Sequence, residues 1–331
     1  MSSLPEEARP HVDEWLGPGW TAQPLAGDAS VRAYYRLTAA DGRTYMLAWY
    51  PEEVRPQLAR FLGAYEAVAA HGHVPKVLHS CDGAVLQHDA GDRTLFDVLH
   101  EDRQEGVRLY RAAIDLLAAF QKAPDRGLNP PFSADFFGGE LDMALEFYVR
   151  KLMDGDDGPL RPFMKTICEN LERHPYVLCH RDFHGQNVHV QNDTLYLIDY
   201  QDLRHGPDTY DVASLLRDRA VAGILGDETE LQLLAHYAEV TNATGDVRRR
   251  YFETLLQRSI KILGTFSKQP IARGRMHYLD FIPATLESIR RCLDELPEHA
   301  ALRDIFPLQF DLPAARERAR GLNDRVLSPE S

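Results

Sequence analysis

The segment VLCHRDFHGQNVHVQNDTLYLIDYQD, residues 177–202, concentrates polar side chains in one short stretch of the chain. A β-like run, YVLC, leads into the polar loop HRDFHGQN, and two alternating runs, VHVQ and TLYLID, follow. The dipeptide Asn192-Asp193 separates these two runs and suits a tight hairpin turn. The sequence therefore predicts a β-hairpin in which Asn187 lies nearly opposite Asp199, one residue out of register.

Three oxygen-bearing side chains of this segment fit phosphoryl transfer. Asn187 and Asp199 would stand at one end of the hairpin and offer the oxygen ligands that phosphate-bound Mg²⁺ requires. Asp182 lies close by in the loop, where it is free to orient and deprotonate an acceptor hydroxyl. The spacing H-x-D-x₄-N, followed by a strand that ends in I-D, predicts Asp182 as the catalytic residue and the other two as magnesium ligands.

Two other interpretations of the same segment stay open. His180, His184 and His189 are candidate metal ligands, but their spacing of four and five residues is not that of a zinc-binding helix. Alternatively, the loop is packed by histidines and polar residues whose hydrogen bonds are all made within the protein.

The composition is that of a globular protein and limits its partners. The 331 residues include 44% apolar and 26% charged residues, with a formal net charge of −13, which argues against nucleic acid and anionic membranes as partners. Four scattered cysteines predict no disulfide framework. We expect a cytoplasmic protein of unspecified oligomeric state.

The pattern of the chain changes near residue 90. Residues 1–89 predict a β-rich lobe with one helix, in which residues 1–9 are expected to be disordered and two Asp-Gly turns join strands. Residues 90–331 predict a mainly helical lobe that also holds the catalytic hairpin and the acceptor site. The segment HDAGD, residues 88–92, is the expected hinge, and a cleft between lobes is an expected ligand site.

These blocks resemble the aminoglycoside phosphotransferase-like branch of the protein-kinase superfamily. GDASVRAYYRL resembles its phosphate loop and second strand, HRDFHGQN its catalytic loop, LIDYQD its metal strand and GPDTYDVASLLRD the helix that follows. Together with LLQRSIKILGTF, the blocks are similar to the bacterial sugar kinases of cell-wall recycling, which phosphorylate the anomeric hydroxyl of N-acetylmuramate and N-acetylglucosamine. The resemblance implies an α+β, two-lobed protein-kinase-like fold, with a β-rich N-lobe and a mainly helical C-lobe.

The resemblance also implies roles for individual residues. Asp182 would be the base, and Asn187 and Asp199 would hold Mg²⁺. His180 would orient the loop beneath Asp182, and Asp211 would brace it. The residues expected to bind ATP are the phosphate loop, an adjacent arginine and three residues at the hinge: Gly27, Asp28, Ala29, Ser30, Arg32, Gln87, His88 and Ala90.

One departure from the protein-kinase pattern concerns the third strand. Protein kinases place on it a lysine that binds ATP phosphates and pairs with a helix glutamate, whereas TYMLAWYP carries none and has Ala48 at the nearest position. Glu66 therefore lacks its usual partner. Arg32 is a candidate replacement for the missing charge, the alternative being an arginine that faces solvent.

The acceptor would be bound by the helical lobe. Glu140 is a candidate to hydrogen-bond sugar hydroxyls, Phe147 or Tyr148 to stack on the ring, and Arg258 with Lys261 to meet an anionic group such as a lactyl carboxylate. The predicted function is an ATP- and Mg²⁺-dependent kinase for an amino-sugar hydroxyl. The alternatives are a kinase for an aminoglycoside, choline or another hexose, and a nucleotide-binding pseudokinase that serves as an interaction module.

Overall fold

The computed structural model describes residues 4–25, 32–218 and 221–327, with side chains to residue 324. By packing, the chain divides into two compact units. The first unit comprises Met1–Asn129 and His180–Arg204, and the second comprises Pro130–Cys179 and His205–Ser331. Packing is a different criterion from the lobes of a fold family, so the predicted lobe boundary between residues 89 and 90 stays a prediction.

An antiparallel sheet forms the centre of the first unit. Its spatial order is β1-β2-β3-β5-β4. The two predicted Asp-Gly turns join β2 to β3 and β4 to β5, and both glycines adopt the left-handed conformation that such turns demand, with φ of 82° at Gly42 and 95° at Gly83. The strands are β1 (Thr21–Leu25), β2 (Ala33–Thr38), β3 (Thr44–Trp49), β4 (Val77–Cys81) and β5 (Ala84–His88).

The N-terminal segment covers one face of this sheet. Leu4 and Ala8 are buried with Val12 of helix α1 (Arg9–Leu16) against the sheet residues Tyr35 and Leu37. The disorder expected for residues 1–9 is therefore wrong for residues 4–9, because apolar side chains at spacing four bury against the strands. The alternation along β2 turns Tyr34 and Arg36 to the opposite face.

Among the described residues, three further α-helices belong to the first unit: α2 (Arg55–Val68), α3 (Leu95–Glu101) and α4 (Arg103–Phe120). Leu109, Ala113, Leu116 and Phe120 form an apolar stripe along α4, and all four are buried. Helix α2 ends at Val68, four residues before Gly72. The N–H groups of His71 and Gly72 both bond the carbonyl oxygen of Val68, at 2.9 Å each, so Gly72 closes the turn that follows the helix.

Two short strand pairs complete the β structure of the described residues: β6 (Tyr176–Cys179) with β9 (Arg204–Pro207), and β7 (Val188–Gln191) with β8 (Thr194–Leu197). The second pair is the predicted hairpin. Its turn residues Asn192 and Asp193 have φ of 50° and 59°. Two successive positive φ angles characterise the type I′ turn, which matches the twist of a two-residue hairpin.

Helices form most of the second unit, and the long helix α10 packs against α5, α6, α7 and α11. A π-helix, Leu145–Leu152, directly continues α5. The α-helices are α5 (Ala134–Ala144), α6 (Arg161–Glu172), α7 (Tyr210–Leu216), α8 (Ala222–Leu225), α9 (Asp227–Thr241), α10 (Val247–Arg273), α11 (Ile282–Glu295), α12 (Leu302–Ile305) and α13 (Leu312–Leu327). In the described part of the chain, none of the helices combines the length and apolarity that a membrane crossing needs. All four cysteines are free thiols.

Candidate active site

Asn187 and Asp199 lie at the open end of the β7–β8 hairpin. Val188 pairs with Leu197, and one step further the N–H of Ile198 donates to the carbonyl oxygen of Asn187 at 3.0 Å. Asn187 thus lies opposite Ile198, one residue from Asp199, which confirms the predicted register. Asp199 has a left-handed backbone, with φ of 62°, a conformation that is uncommon outside glycine and is enriched at functional sites.

The loop that carries Asp182 is tied to the same strand by His180. This fully buried ring donates from Nε2 to the carbonyl oxygen of Ile198, 2.8 Å away, and its Nδ1 accepts the N–H of Asp182 at 3.2 Å. A carbonyl only accepts and a backbone N–H only donates, so these two bonds select the neutral tautomer with its proton on Nε2. The side chain of Asp182 is exposed.

The side chain of Asn187 is turned by two contacts of its amide nitrogen. Nδ2 donates to the carbonyl oxygen of Asp182 at 2.9 Å and lies 3.4 Å from Nε2 of His184. Because the nitrogen is used, the oxygen Oδ1 is the atom left for a cation. The exposed carboxylate of Asp199 accepts from Gln201 through Oδ1 at 2.7 Å, which leaves Oδ2. A carboxamide and a carboxylate oxygen form a donor set that fits Mg²⁺.

A cavity of about 440 Å³ in the first unit collects most of the predicted nucleotide and metal residues. Asn187 and Asp199 both line it. Tyr34, Met46 and Phe61 provide apolar and aromatic surface. The residues that were predicted to bind ATP and that line this cavity are Arg32, Gln87, His88 and Ala90. Gly27, Asp28, Ala29 and Ser30 lie outside the described residues.

Arg32 is the only Lys or Arg lining this cavity among the residues that the structure describes. Its guanidinium lies 5.8 Å from the ring centroid of Tyr34 and 5.9 Å from that of Tyr50. Burial lowers the pKa of Arg32, but Tyr34, Tyr50 and Asp199 raise it more, so its charge is secure. Burial raises the pKa of Tyr34 to about 12, so this phenol stays neutral beside the cation.

The missing lysine of the third strand is not replaced within that strand. Ala48 is buried in β3, between Tyr34 and Val85 of the neighbouring strands. Glu66 of α2 forms an ion pair with Arg126 at 3.3 Å, and its side chain is 67% exposed. Among the described residues, Glu66 therefore forms its ion pair with Arg126 and not with a residue of β3.

An ion-pair clamp that the sequence did not reveal holds the expected hinge. Arg36 of β2 donates to both carboxylates of Asp89 and Asp92, with shortest contacts of 2.7 and 2.6 Å. The β7–β8 hairpin bonds the same segment, because His189 donates to the carbonyl oxygen of Gly91 at 2.6 Å and Gln191 to that of Asp89 at 3.0 Å. The hairpin that Asn187 and Asp199 flank, the two predicted metal ligands, is thus fastened to residues 89–91.

The turn before β7 requires glycine at position 185. A Cβ atom built at this position would lie 2.8 Å from the hydroxyl of Tyr110 and 3.1 Å from the backbone nitrogen of Phe96. Both neighbours belong to helices of the same unit, α4 and α3. The turn that presents Asn187 therefore packs where no side chain fits.

The residues predicted to bind the acceptor lie in the second unit, and they differ in burial and in hydrogen-bond partners. Glu140 accepts from Lys261 at 2.6 Å and from Gln257 at 3.0 Å. The ring of Tyr148 is fully buried, and its hydroxyl donates to the carbonyl oxygen of Pro307 at 2.6 Å. This burial argues against the stacking predicted for Tyr148, whereas Phe147 lines a separate open depression near Lys268.

Two remaining predicted residues also lie in the second unit. Arg258 lines a larger cavity, of about 630 Å³. Asp211 is fully buried in the first turn of α7, and its predicted bracing of the catalytic loop stays a prediction.

The alternative of a histidine metal site finds no support in the described residues. The rings of His180 and His189 each donate a hydrogen bond to a backbone carbonyl oxygen. In that part of the chain, the only group with three ligand atoms within 4.8 Å of one another is Glu253, Glu298 and His299, in the second unit. There the guanidinium of Arg249 bonds both carboxylates and supplies the positive charge.

Comparison with family models gives a match over residues 21–251 to the phosphotransferase enzyme family, APH. The chain belongs to this phosphotransferase family. The match spans both units and includes Asp182, Asn187 and Asp199. It establishes a phosphotransferase, and with the strand and helix content it confirms the predicted fold class, a β-rich N-terminal part followed by a mainly helical one.

Two relatives cover most of the phosphotransferase chain. One, from Pseudomonas aeruginosa, is 28% identical over 301 residues, which are 86% of this chain and 87% of the relative. The other, from Neisseria meningitidis serogroup B, is 29% identical over 313 residues, which are 89% and 92% of the two chains. Both are named N-acetylmuramate/N-acetylglucosamine kinase.

A solved structure supports the fold independently of sequence. The streptomycin–ATP–APH(2″)-IIa ternary complex matches with a TM-score of 0.60 at 16% identity, and covers 92% of this chain and 100% of the other. At this identity the similarity concerns the fold alone.

Proposed function

We propose that this phosphotransferase uses ATP and Mg²⁺ to phosphorylate an amino-sugar hydroxyl, with the anomeric hydroxyl of N-acetylmuramate or N-acetylglucosamine as its acceptor. One observation carries the kinase chemistry: Asn187 and Asp199 line one cavity, and hydrogen bonds tie the loop of Asp182 to both sides of the open end of the β7–β8 hairpin, at Asn187 and at Ile198. The names of the two relatives support the choice of acceptor.

The nucleotide is proposed to occupy the 440 Å³ cavity. Apolar and aromatic side chains, including Met46 and Phe61, would pack on adenine, while Gln87 to Ala90 offer backbone groups to its edge. Arg32 would bind the phosphates, together with the proposed loop residues Gly27, Asp28, Ala29 and Ser30. When bound, Mg²⁺ would neutralise phosphate charge, and Oδ1 of Asn187 with the Asp199 carboxylate would hold it.

The proposed reaction is an in-line displacement at the γ-phosphorus. The acceptor oxygen forms a bond to phosphorus while the bond to the β,γ-bridging oxygen breaks, and ADP leaves. Asp182 orients the acceptor hydroxyl and takes its proton. His180 fixes the backbone of Asp182 through a buried ring, so the carboxylate is held in place before the acceptor arrives.

The acceptor is proposed to bind the second unit through Glu140 and Arg258. A carboxylate that already accepts from Lys261 retains lone pairs for a sugar hydroxyl. We do not retain Tyr148, because a sugar cannot reach its buried ring. The cytoplasm is the proposed location, and a small sugar is the proposed partner.

The test is an ATP-consumption assay on a panel of sugars, with the product examined for its reducing end. Phosphorylation of the anomeric hydroxyl removes the reducing end, whereas phosphorylation of any other hydroxyl preserves it. We expect N-acetylmuramate and N-acetylglucosamine to be consumed with loss of reducing sugar. The methyl glycoside of N-acetylglucosamine is the matched control, and it should not react because its anomeric oxygen is blocked.

Other outcomes point to the alternative functions. Turnover of the methyl glycoside would contradict anomeric transfer and retain a sugar kinase. Turnover of an aminoglycoside, choline or another hexose, with none on these amino sugars, would replace the acceptor. Nucleotide binding without turnover on any acceptor would favour the pseudokinase, which the absence of a lysine at Ala48 would then explain.

A further inference from the structure

We propose that the 630 Å³ cavity of the second unit binds the carboxylate of an anionic sugar acceptor, and that Arg258 distinguishes N-acetylmuramate from neutral N-acetylglucosamine. The inference rests on the proposed function and deepens it, because the two sugars differ by the lactyl ether that carries the carboxylate. The cavity is bordered by α7, α8, α10 and α11. Its volume lies within the range of about 300–1,000 Å³ that is usual for small-molecule sites.

Arg217 and Arg291 are already neutralised; with Arg258 they are the three arginines that line the cavity among the described residues. Both guanidinium groups contact the carboxylates of Asp227 and Glu230, at 2.6 to 3.0 Å. Glu230 also accepts from the hydroxyl of Tyr251 at 2.7 Å, deep in the unit. The two guanidinium charges are thus balanced by two carboxylates, and these ion pairs hold one side of the cavity in place.

Arg258 differs from these two arginines. Among the described residues no carboxylate lies within ion-pair distance of it; its Nη2 donates to the hydroxyl of Ser214 at 2.8 Å, and its guanidinium lies 4.4 Å from the ring centroid of Tyr210. In the same part of the chain, its buried Nη1 has no hydrogen-bond partner, and neither has Nε of Arg217, whose side chain is 8% exposed. The charge of Arg258 at the cavity lining is therefore balanced by no carboxylate of the described residues, and an anionic ligand would supply the counter-charge.

The remaining lining suits the rest of a sugar. Hydroxyl groups of Ser259, Thr285 and Ser288 can bond to ring hydroxyls, and Ile262 and Phe266 supply apolar surface. Besides Asp227, two other carboxylate residues in the described part of the chain line the cavity. Glu287 is paired with Arg290 at 3.1 Å, and Asp218 lies at the start of the segment that leads to α8. The choice of an anion therefore rests on Arg258, which has no carboxylate partner among the described residues, and not on the sum of charges.

The orientation of Arg258 is fixed before any ligand arrives. Stacking on the buried ring of Tyr210 and the bond to Ser214 hold the planar group from two sides. A fixed guanidinium fork recognises a carboxylate with two parallel hydrogen bonds, which a lysine cannot reproduce.

The experiment compares N-acetylmuramate, its carboxyl methyl ester and N-acetylglucosamine as acceptors for the full-length protein and for Arg258→Met. We expect the wild type to prefer N-acetylmuramate over the ester by about tenfold or more, the value of a hydrogen bond to a charged group. In Arg258→Met this preference should disappear, and kcat/KM for N-acetylmuramate relative to N-acetylglucosamine should fall by about tenfold or more. Arg258→Lys should lie between the two.

Arg173→Ala is the matched control, since it removes an arginine of the same unit that is 71% exposed. Its acceptor ratios should equal those of the wild type. Equal losses of Arg258→Met on both sugars would overturn the inference in favour of a structural role, and so would an unchanged preference for the acid over the ester. A wild type that phosphorylates neither sugar would overturn the proposed function and this inference with it.

Should Arg258→Met fail to fold, Ser214→Ala provides the second variant. It removes the hydroxyl that orients the guanidinium and leaves the charge in place. The acid-to-ester preference should then fall at least threefold, and an unchanged preference would contradict the inference.

Discussion

The ring of His180 donates to the carbonyl oxygen of Ile198 at 2.8 Å and accepts the N–H of Asp182 at 3.2 Å. One buried imidazole therefore joins the loop that carries the proposed base to the strand that ends in the proposed metal ligand. The two nitrogens of this ring therefore position the backbones of Asp182 and Asp199, the two carboxylates proposed to act in the reaction, relative to each other, although both side chains are exposed.

Replacement of His180 by Ala should lower kcat by about ten- to hundredfold, because the loop loses both bonds and small displacements of a reacting group are costly. His180→Gln should recover part of this loss, since its amide can still donate to Ile198. Steady-state kinetics on both variants, with circular dichroism to verify folding, measures the effect. Full activity of the alanine variant would show that the loop holds its geometry without the ring.

Asp182→Asn should lower kcat by about 10²- to 10⁴-fold while nucleotide affinity changes little, because a general base is lost and the nucleotide cavity is not. Asp193→Asn, at the hairpin tip and 90% exposed, is the control and should retain wild-type activity. Kinetics and nucleotide titration separate the two effects. A variant with near wild-type turnover would rule out Asp182 as the base.

Asp199→Asn should raise the Mg²⁺ concentration required for half-maximal activity by about tenfold or more, since a hard cation loses a charged oxygen ligand. Asp202→Asn changes a carboxylate three residues away that pairs with Arg60, and should leave the Mg²⁺ requirement as it is. Magnesium titrations at fixed ATP measure both. The same requirement in all three proteins would place the ion elsewhere.

Arg32→Met should weaken the binding of ATP by about tenfold and leave the binding of adenosine nearly unchanged, because the lost charge serves the phosphates and not the base. Arg32→Lys should retain part of the affinity. Arg43→Met, at an exposed turn of the same sheet, is the control. Calorimetry with both ligands decides, and a parallel loss for adenosine would indicate a disrupted cavity.

Asp89→Asn should change how stability depends on pH. Burial raises the pKa of Asp89, but Arg36 and the N–H of Gly91 lower it more, so the pKa lies below its ordinary value of 3.8. Such a carboxylate contributes its full stability above about pH 4, and this contribution disappears as the pH falls through the folded-state pKa. The variant should be less stable by about 1–3 kcal/mol at neutral pH.

The difference between the two proteins should shrink as the pH falls below about 4. Urea unfolding between about pH 3 and 7 tests this, with Asp82→Asn, at a site 79% exposed, as the control. A difference that stays constant over this range would show that the charge of Asp89 is not the source of the stability.

Local patterns were sufficient to predict the hairpin. Alternation of period two defines β7 and β8, and Asn192-Asp193 fixes the turn, so the register of Asn187 against Asp199 follows by counting residues. The spacing of Leu4, Ala8 and Val12 also carried a signal, which the polar composition of the N-terminus hid.

Other features depend on contacts that no local pattern reveals. Arg36 lies 53 and 56 residues from Asp89 and Asp92, and the need for glycine at position 185 comes from two distant helices. Phe147 and Tyr148 are neighbours, and the π-helix that carries them breaks the 3.6-residue phase from which burial is read. The sequence could not tell which ring is buried.

The first unit is assembled from two separate stretches of chain, Met1–Asn129 and His180–Arg204. During synthesis the five-stranded sheet emerges from the ribosome well before the stretch that completes its unit, and fifty residues of the other unit intervene. A fragment that stops at Asn129 would retain most surfaces proposed for the nucleotide base but none of the acidic groups assigned to chemistry. Such a fragment would at best bind the nucleotide without catalysing the reaction. A single cut of the chain cannot separate the two units, because the first unit contains residues from both sides of the segment Pro130–Cys179.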